Sequence, residues 1–362
     1  MKITVYREAL VECLAAIAPA IRKLTPKPLL QCAKIEVFKD RVEVTGNNTE
    51  LQITTSTDRL DIKELGVVTT PHDRLIRVLS EMPDTTIDIE TDGEIIRIKG
   101  ENSDFNLFGY DTSQFPEPMK LENAAPLVVT AKDFGAALNM VRPCVGSGVV
   151  SNSNIPGVMM ERVGTTLNLI ATTGTCMAVA DIGCGGGGGI EAVIPAAAVG
   201  AIAKLLDSEG DVAIIRDGSL VSFSFGSSRV VTNILEVKFF PYRDIIPKTS
   251  NKKLTVNLAG LVQAVRQADL VTIQETKGSK FTMSASGLTV TTQTPEYGDA
   301  SVRVPIVSYS GDPLVIGFNA SFLLPPLRGV TQDIIEIEMT AANKPAMVKV
   351  PGLLLIFGPI KV

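Results

Sequence analysis

The sequence predicts an α+β fold of three repeated modules, each with helices on one face of antiparallel sheet. Three observations predict it. A strand running straight into a helix recurs three times, a second helix start recurs at constant spacing, and short alternating strands fill the intervals. The chain of 362 residues has room for three such modules.

The first opening is Ile3-Thr4-Val5 leading into Arg7-Glu8-Ala9-Leu10. The second is Leu127-Val128-Val129 leading into Phe134, and the third is Leu254-Thr255-Val256 leading into Leu261. These openings lie 124 and 127 positions apart. A helical period follows each one: Leu10, Leu14, Ile17; then Phe134, Leu138, Val141; then Leu261, Val265, Ala268.

A second helix is predicted over 68–82, 193–206 and 316–327. Its start carries Pro71, Pro195 and Asn319, 124 positions apart each time. Proline suits the first turn of a helix and asparagine suits the N-cap, so one structural task recurs. Strands are expected next over 86–90, 211–215 and 334–338. Asp92-Gly93, Asp217-Gly218 and the segment 341–345 then turn the chain into a further strand. The first two units close on Phe115-Pro116 and Phe240-Pro241, 125 positions apart. The polar, proline-bounded stretches 118–126 and 247–253 read as linkers. The expected modules are 1–121, 122–248 and 249–362.

Composition excludes several classes. Apolar residues make up 45% and charged residues 20%, a globular balance. No apolar run approaches the ~18 residues of a membrane span. The alternating start Met1-Lys2-Ile3-Thr4-Val5 lacks the pattern of a signal peptide, so a cytoplasmic protein is expected. The five cysteines, Cys13, Cys32, Cys144, Cys176 and Cys184, show no CxxC spacing and are expected as free thiols, some packed as small hydrophobes. The one histidine, His72, sits among Thr70-Pro71-His72-Asp73-Arg74 and is expected on the surface at a helix start. No metal, cofactor or catalytic residue is expected.

The net charge is −5, unusual for a conventional DNA binder. The charges are segregated, however. Arg74, Arg77, Lys132, Arg142, Lys204, Arg266 and Arg328 fall on or near predicted helices, with Arg22, Lys23 and Lys27 just past the first. Acids such as Asp88, Glu90, Asp92, Glu94, Glu336 and Glu338 fall in strands and turns. Solvated helix faces give the same pattern, so it points only weakly to DNA.

Two competing readings follow from other features. The run Gly183-Cys184-Gly185-Gly186-Gly187-Gly188-Gly189 invites a nucleotide-binding enzyme built on a 183–189 glycine loop. A phosphate loop needs Lys-Ser/Thr and a helix next, whereas Ile190-Glu191-Ala192-Val193 reads as a strand, so a flexible inter-strand loop is expected. A structural β-rich repeat protein is the other alternative. It does not account for a helix at the same place in each module.

Three two-helix, sheet-backed modules in this order resemble the bacterial DNA polymerase III beta-subunit sliding clamp over the whole chain. Similar proteins carry counterparts of Gly317-Phe318-Asn319-Ala320-Ser321-Phe322, of Phe239-Phe240-Pro241-Tyr242-Arg243-Asp244-Ile245-Ile246-Pro247, and of the tail Pro359-Ile360-Lys361-Val362. The resemblance implies a non-catalytic processivity factor for DNA replication. It would be a head-to-tail homodimer, a six-module ring that encircles double-stranded DNA without sequence preference, with no membrane role. Its partners would be the replicative DNA polymerase, a clamp loader and repair proteins. The ten cations named above would face DNA. Phe105 and Leu107 would meet Leu270 and Val271 of a second copy, although strand alternation alone equally allows Phe105 and Leu107 as core. A partner-peptide groove would be lined by Ile155, Thr172, Gly174, Met177, Phe240, Ile245, Asn319, Phe322, Ile356, Pro359 and Ile360. The run 353–357 is expected as a buried last strand and 359–362 as groove wall.

The sequence also departs from the pattern. Where similar proteins carry Thr-Asp-Gly-His-Arg-Leu, this chain reads Thr172-Thr173-Gly174-Thr175-Cys176-Met177, and Asp244 replaces a frequent basic residue. The groove is expected to be less basic, with an altered partner motif. Pro325-Pro326 should make the last helix short or kinked.

Overall fold

The computed structural model describes residues 1–362 except 122–123, 149–150, 152–153, 208, 273–277 and 362. Val362 of the expected groove wall and two residues of the 118–126 linker therefore lie outside the described residues.

One order of elements occurs three times. The first repeat comprises β1 (Lys2–Tyr6), α1 (Arg7–Ile17), β2 (Cys32–Val37), β3 (Val42–Asn47), β4 (Leu51–Thr57), β5 (Leu60–Glu64), β6 (Gly66–Pro71), α2 (His72–Glu81), β7 (Thr86–Asp92), β8 (Ile95–Lys99) and β9 (Asp104–Phe108). The second comprises β10 (Leu127–Thr130), α3 (Ala131–Val141), β11 (Gly157–Val163), β12 (Thr166–Thr172), β13 (Cys176–Gly183), β14 (Gly185–Gly186), β15 (Glu191–Pro195), α4 (Ala196–Leu205), β16 (Asp211–Asp217), β17 (Leu220–Phe225) and β18 (Ser228–Asn233). The third comprises β19 (Lys252–Asn257), α5 (Leu258–Asp269), β20 (Gly278–Ser284), β21 (Gly287–Thr294), β22 (Gly298–Val304), β23 (Ile306–Ser310), β24 (Leu314–Asn319), α6 (Ala320–Leu327), β25 (Ile334–Met339), β26 (Ala346–Val350) and β27 (Leu353–Phe357).

The helices form where the apolar period demands it. In α1, Leu10, Leu14 and Ile17 are fully buried, as are Phe134, Leu138 and Val141 in α3. Asn257 caps α5 by accepting from the Gly260 amide at 2.9 Å, and Asn319 caps α6 by accepting from the Ser321 amide at 2.8 Å. Pro325 and Pro326 fall in the last turn of α6, which is short, as the missing amide donors require.

The second helix of each repeat begins only at His72, Ala196 and Ala320, because the residues expected to open it end strands β6, β15 and β24. Two further details differ from expectation. His72 is buried rather than on the surface, and its Nε2–H donates to the Leu14 carbonyl at 2.9 Å. It ties α2 to the end of α1, where an orphan helical carbonyl needs a donor. The glycine loop is also partly strand: Gly185 and Gly186 pair with Val128 and Leu127. A side chain on Gly186 (φ +77°) would run into the Pro126 carbonyl, and one on Gly188 into the Ala125 carbonyl. These glycines are there for close approach of two backbones, not for a phosphate.

The chain forms two compact units. The first holds Met1–Lys132, Gly185–Ile190 and Ala197–Ile234; the second holds Asp133–Cys184, Glu191–Ala196 and Leu235–Val362. Within the first, the sheets run β5-β1-β7-β8-β9 and β14-β10-β16-β17-β18-β4-β3-β2-β6. Within the second, they run β15-β11-β12-β13-β27-β26-β25-β19-β23 and β22-β21-β20-β24.

Each nine-stranded sheet therefore fuses strands of two successive repeats. In the first, antiparallel β18 and β4 pair Val230 with Ile53; in the second, β27 and β13 pair Leu355 with Ala178. Both partners move on by 125 positions, so the two junctions share one register. The third copies of these strands are unpaired on that side: β9 and β22 are sheet edges among the described residues. Phe105 on β9 occupies the place of Val230 and Leu355. Those two are fully buried at 0%, whereas Phe105 is 36% exposed.

Candidate functional site

The second unit contains an apolar cluster built around the junction of β13 and β27. Met177 and Ile356 face each other in the ladder. Ile155, Met159 of β11, Ile170 of β12, Val193 of β15 and Tyr242 complete its buried part. Met159, Ile170, Met177, Val193 and Ile356 come from five strands of one sheet, and the pleat directs them to one face.

The segment after the second repeat lies across this face. The Leu235 amide donates to the Val193 carbonyl at 2.9 Å and starts the crossing. Phe239 and Phe240 stack with ring centroids 4.9 Å apart, and Phe239 meets Tyr242 edge-on at 6.4 Å. Tyr242 and Arg243 then reach down to Glu161 on β11. Ile246 packs against the cluster.

The tail closes another side. The Gly358 amide donates to the Thr175 carbonyl at 2.7 Å, and the Ile360 amide to the Gly317 carbonyl at 2.9 Å. It thus links the 173–175 turn to the end of β24, beside the Asn319 cap.

That turn is self-contained. Thr172 Oγ1 accepts from the Gly174 amide at 3.0 Å and donates to the Cys176 carbonyl at 3.1 Å. Thr173 Oγ1 accepts from the Thr175 and Cys176 amides at 3.3 and 3.1 Å. Gly174 has φ +87°, a conformation that favours glycine. Cys144 and Cys176, both buried, share a thiol hydrogen bond that pushes Cys144 well up, burial adding to the rise, and draws Cys176 down against its burial. All five cysteines are free.

Of the expected groove residues, Ile155, Met177, Phe240 and Ile356 come together in the cluster. Thr172 and Gly174 form the adjoining turn, and Ile360 of the tail bonds to Gly317, two residues before the Asn319 cap. Ile245 is 46% exposed and Phe322 half-buried; neither belongs to the cluster. Sequence reading missed Tyr242, Ile246 and the Glu161–Arg243 pair. The aromatic run 239–242 was the available signal, since such a run outside a strand needs an apolar bed.

Nine of the ten expected DNA-facing cations are exposed: Lys23, Lys27, Arg74, Arg77, Lys132, Arg142, Lys204, Arg266 and Arg328. Arg22 is half-buried and bridges Glu50 at 2.8 Å. Arg77 pairs with Asp73 one turn back at 3.2 Å, and Arg142 donates to Asn139 at 3.3 Å. Lys204 and Arg266 sit in last helical turns, where the helix dipole also favours them. Leu107 is half-buried on β9; Leu270, just past α5, is 82% exposed, and Val271 is half-buried.

Among the described residues no group of histidine, cysteine and acidic side chains could hold a metal, and no helix is long and apolar enough to cross a membrane.

Comparison with known proteins agrees with this architecture. Residues 1–120 match the model of the DNA polymerase III beta subunit N-terminal domain, and 243–352 match that of its C-terminal domain. The beta sliding clamp of Vibrio cholerae is 24% identical, over 96% of each chain. That of Chlamydia pneumoniae is 25% identical, over 96% of this chain and 95% of its own. In structure, the chain is similar to the sliding clamp of Bacillus subtilis (TM-score 0.93, 19% identity, 100% and 99% of the two chains). It is also similar to the DNA polymerase III subunit beta of Pseudomonas aeruginosa bound to griselimycin (TM-score 0.95, 21% identity, 100% of each). With both family models matched in their proper order and the fold shared end to end, the chain belongs to the bacterial DNA polymerase III beta subunit family of sliding clamps, as a divergent member.

Proposed function

We propose that this protein is a DNA sliding clamp that closes head to tail with a second copy, β9 of each adding to β22 of the other. The observation that carries this reading is the pair of internal junctions in one register, together with the two free strands that complete a third. A heterologous interface that closes by rotation gives a ring. Continuing the register would set Phe105 opposite Ala300 and Asn106 opposite Asp299 of the second copy. Phe105 and Leu107, next to Ile98 and Ile96 in the ladder, would then be covered near Leu270 and Val271. The modules are taken as 1–121, 122–248 and 249–362.

The ring would surround duplex DNA, with the ten cations as screened, individually weak phosphate contacts. Weak contacts suit sliding, because strong ones would hold the clamp at one place. The protein itself is read as non-catalytic and cytoplasmic. Its second-unit cluster would take a short apolar peptide of the replicative polymerase, the clamp loader or a repair protein, an anchor-in-pocket mode. Threonine hydroxyls replace charge at the 173–175 turn, so the preferred peptide would rely on apolar anchors.

The test is retention on DNA. The chain should run at about twice its 38.5 kDa mass and stay on circular but not linear duplex after loading. A monomer indifferent to DNA topology would overturn the reading.

A further inference from the structure

We propose a second peptide-docking groove, in the first repeat, that takes an extended acidic segment. It rests on the clamp reading for the kind of partner that brings the peptide. The turn beside the second-unit cluster has a counterpart 125 positions earlier. There the Asn47 side chain accepts from the Thr49 amide at 2.9 Å, as Thr172 does from Gly174. Thr49 keeps the left-handed φ of +75° without being a glycine. Leu30 stands at the place of Ile155, and Pro116 at the place of Pro241.

Between these residues lies an open cavity of about 660 Å³, within the usual ~300–1,000 Å³ of ligand pockets. Its apolar wall is Leu29, Leu30, Pro28 and Pro116, and its charged lining is Arg22 and Lys27, with no acid. Glu50 meets Arg22 from outside the cavity, while Lys27 has no acidic partner among the described residues. Lys23 and the 97% exposed Leu24 adjoin it in the same loop. Two cations beside an apolar wall fit a peptide with an apolar anchor flanked by carboxylates. Arg22 and Lys27, counted above among the weak phosphate contacts, would then serve both ligands, since DNA phosphates would use the cations but leave the wall without a task.

The groove of the second unit and this one share a turn but differ in charge, so one ring would offer partners two chemically distinct sites.

The probe is a fluorescein-labelled nonapeptide with a Leu-Phe pair between aspartates, titrated by anisotropy into the assembled full-length protein. Binding should persist in a chain lacking 359–362 and should weaken at least tenfold with Lys27→Glu. The milder Lys27→Ala should weaken it less. Lys27 is exposed, so an unchanged thermal midpoint should accompany both substitutions. Binding lost with the tail deletion, or indifferent to Lys27→Glu, would overturn the proposal. So would a short duplex that binds in a Lys27-dependent way while the peptide does not bind. Failure of the wild-type chain to stay on circular DNA would count against the clamp reading alone, since the peptide titration needs no DNA.

Discussion

Arg243 grips Glu161 with both ends of its guanidinium, Nη2 at 2.7 Å from Oε2 and Nη1 at 3.3 Å from Oε1. The Tyr242 hydroxyl donates to the same carboxylate at 3.1 Å, and the guanidinium lies 4.6 Å over the tyrosine ring. The pair pins the 239–246 crossing to β11. The Arg243 hydrogen bond holds Glu161 below its ordinary value, while burial pushes Tyr242 up to about 12. A carboxylate lowered in the folded state adds stability above its unfolded value of about 4.3, and this is lost as pH falls through the lowered one. Glu161→Gln should cost about 0.5–1 kcal/mol at neutral pH, a modest amount because Arg243 is 54% exposed. It should also flatten the acid limb of stability. Equal acid limbs in thermal melts of the two proteins would remove the pair as its source.

The shared register of the two internal junctions, continued to the proposed junction of β9 with β22, sets the frame to test. Asn106→Cys combined with Asp299→Cys should cross-link two chains into a covalent circle on mild oxidation. Asn106→Cys with Val302→Cys should do so poorly. A reversed order on non-reducing gels would show that β9 and β22 pair in another frame, or not at all.

Phe105→Asp should split the dimer, because it sets a charge on the face that Val230 and Leu355 bury completely at the internal junctions. Sedimentation should show at least a hundredfold weaker association with the fold intact. A dimer of unchanged strength would exclude β9 from the interface.

Removing 359–362 takes away the Ile360 amide that bonds to Gly317, while the Gly358 amide on Thr175 stays. Polymerase stimulation should vanish while the protein remains dimeric. Normal stimulation by the truncated chain would mean that partners dock elsewhere.

Gly186→Ala should destabilise the first unit by about 1–3 kcal/mol, since the new methyl meets the Pro126 carbonyl at a left-handed φ. Calorimetry reads the loss directly. A neutral substitution would mean that the two-residue strand can be shed without cost.

The features legible in the sequence were those that local chemistry dictates. The recurring helix starts just after Pro71, Pro195 and Asn319 were legible from proline's missing donor and asparagine's cap, although each of the three closes a strand rather than opening the helix. The brevity of α6 follows from Pro325-Pro326, and the last strand from its apolar run. Four residues of the apolar cluster were legible because Ile155, Met177, Phe240 and Ile356 match the family pattern. What stayed hidden depends on partners far along the chain. His72 is buried because of the Leu14 carbonyl, 58 positions away. Gly185-Gly186 becomes strand because of Leu127 and Val128. Ile246 packs on the cluster while its neighbour Ile245 does not, which depends on how the 3₁₀ turn at Tyr242–Asp244 aims the chain.

The open edges at β9 and β22 bear on the life of the newly made chain. Until a second copy arrives, the backbone groups along these two edges stay unpaired, which is the template that strand-by-strand aggregation requires. Head-to-tail addition has no built-in stop at two, so a chain that added without curving back would grow into a filament. Asp104 on β9, and Asp299 and Arg303 on β22, put charge along those rows and discourage promiscuous pairing. Closing the circle is thus also a form of self-protection: only a complete ring leaves no end on which a further chain can grow.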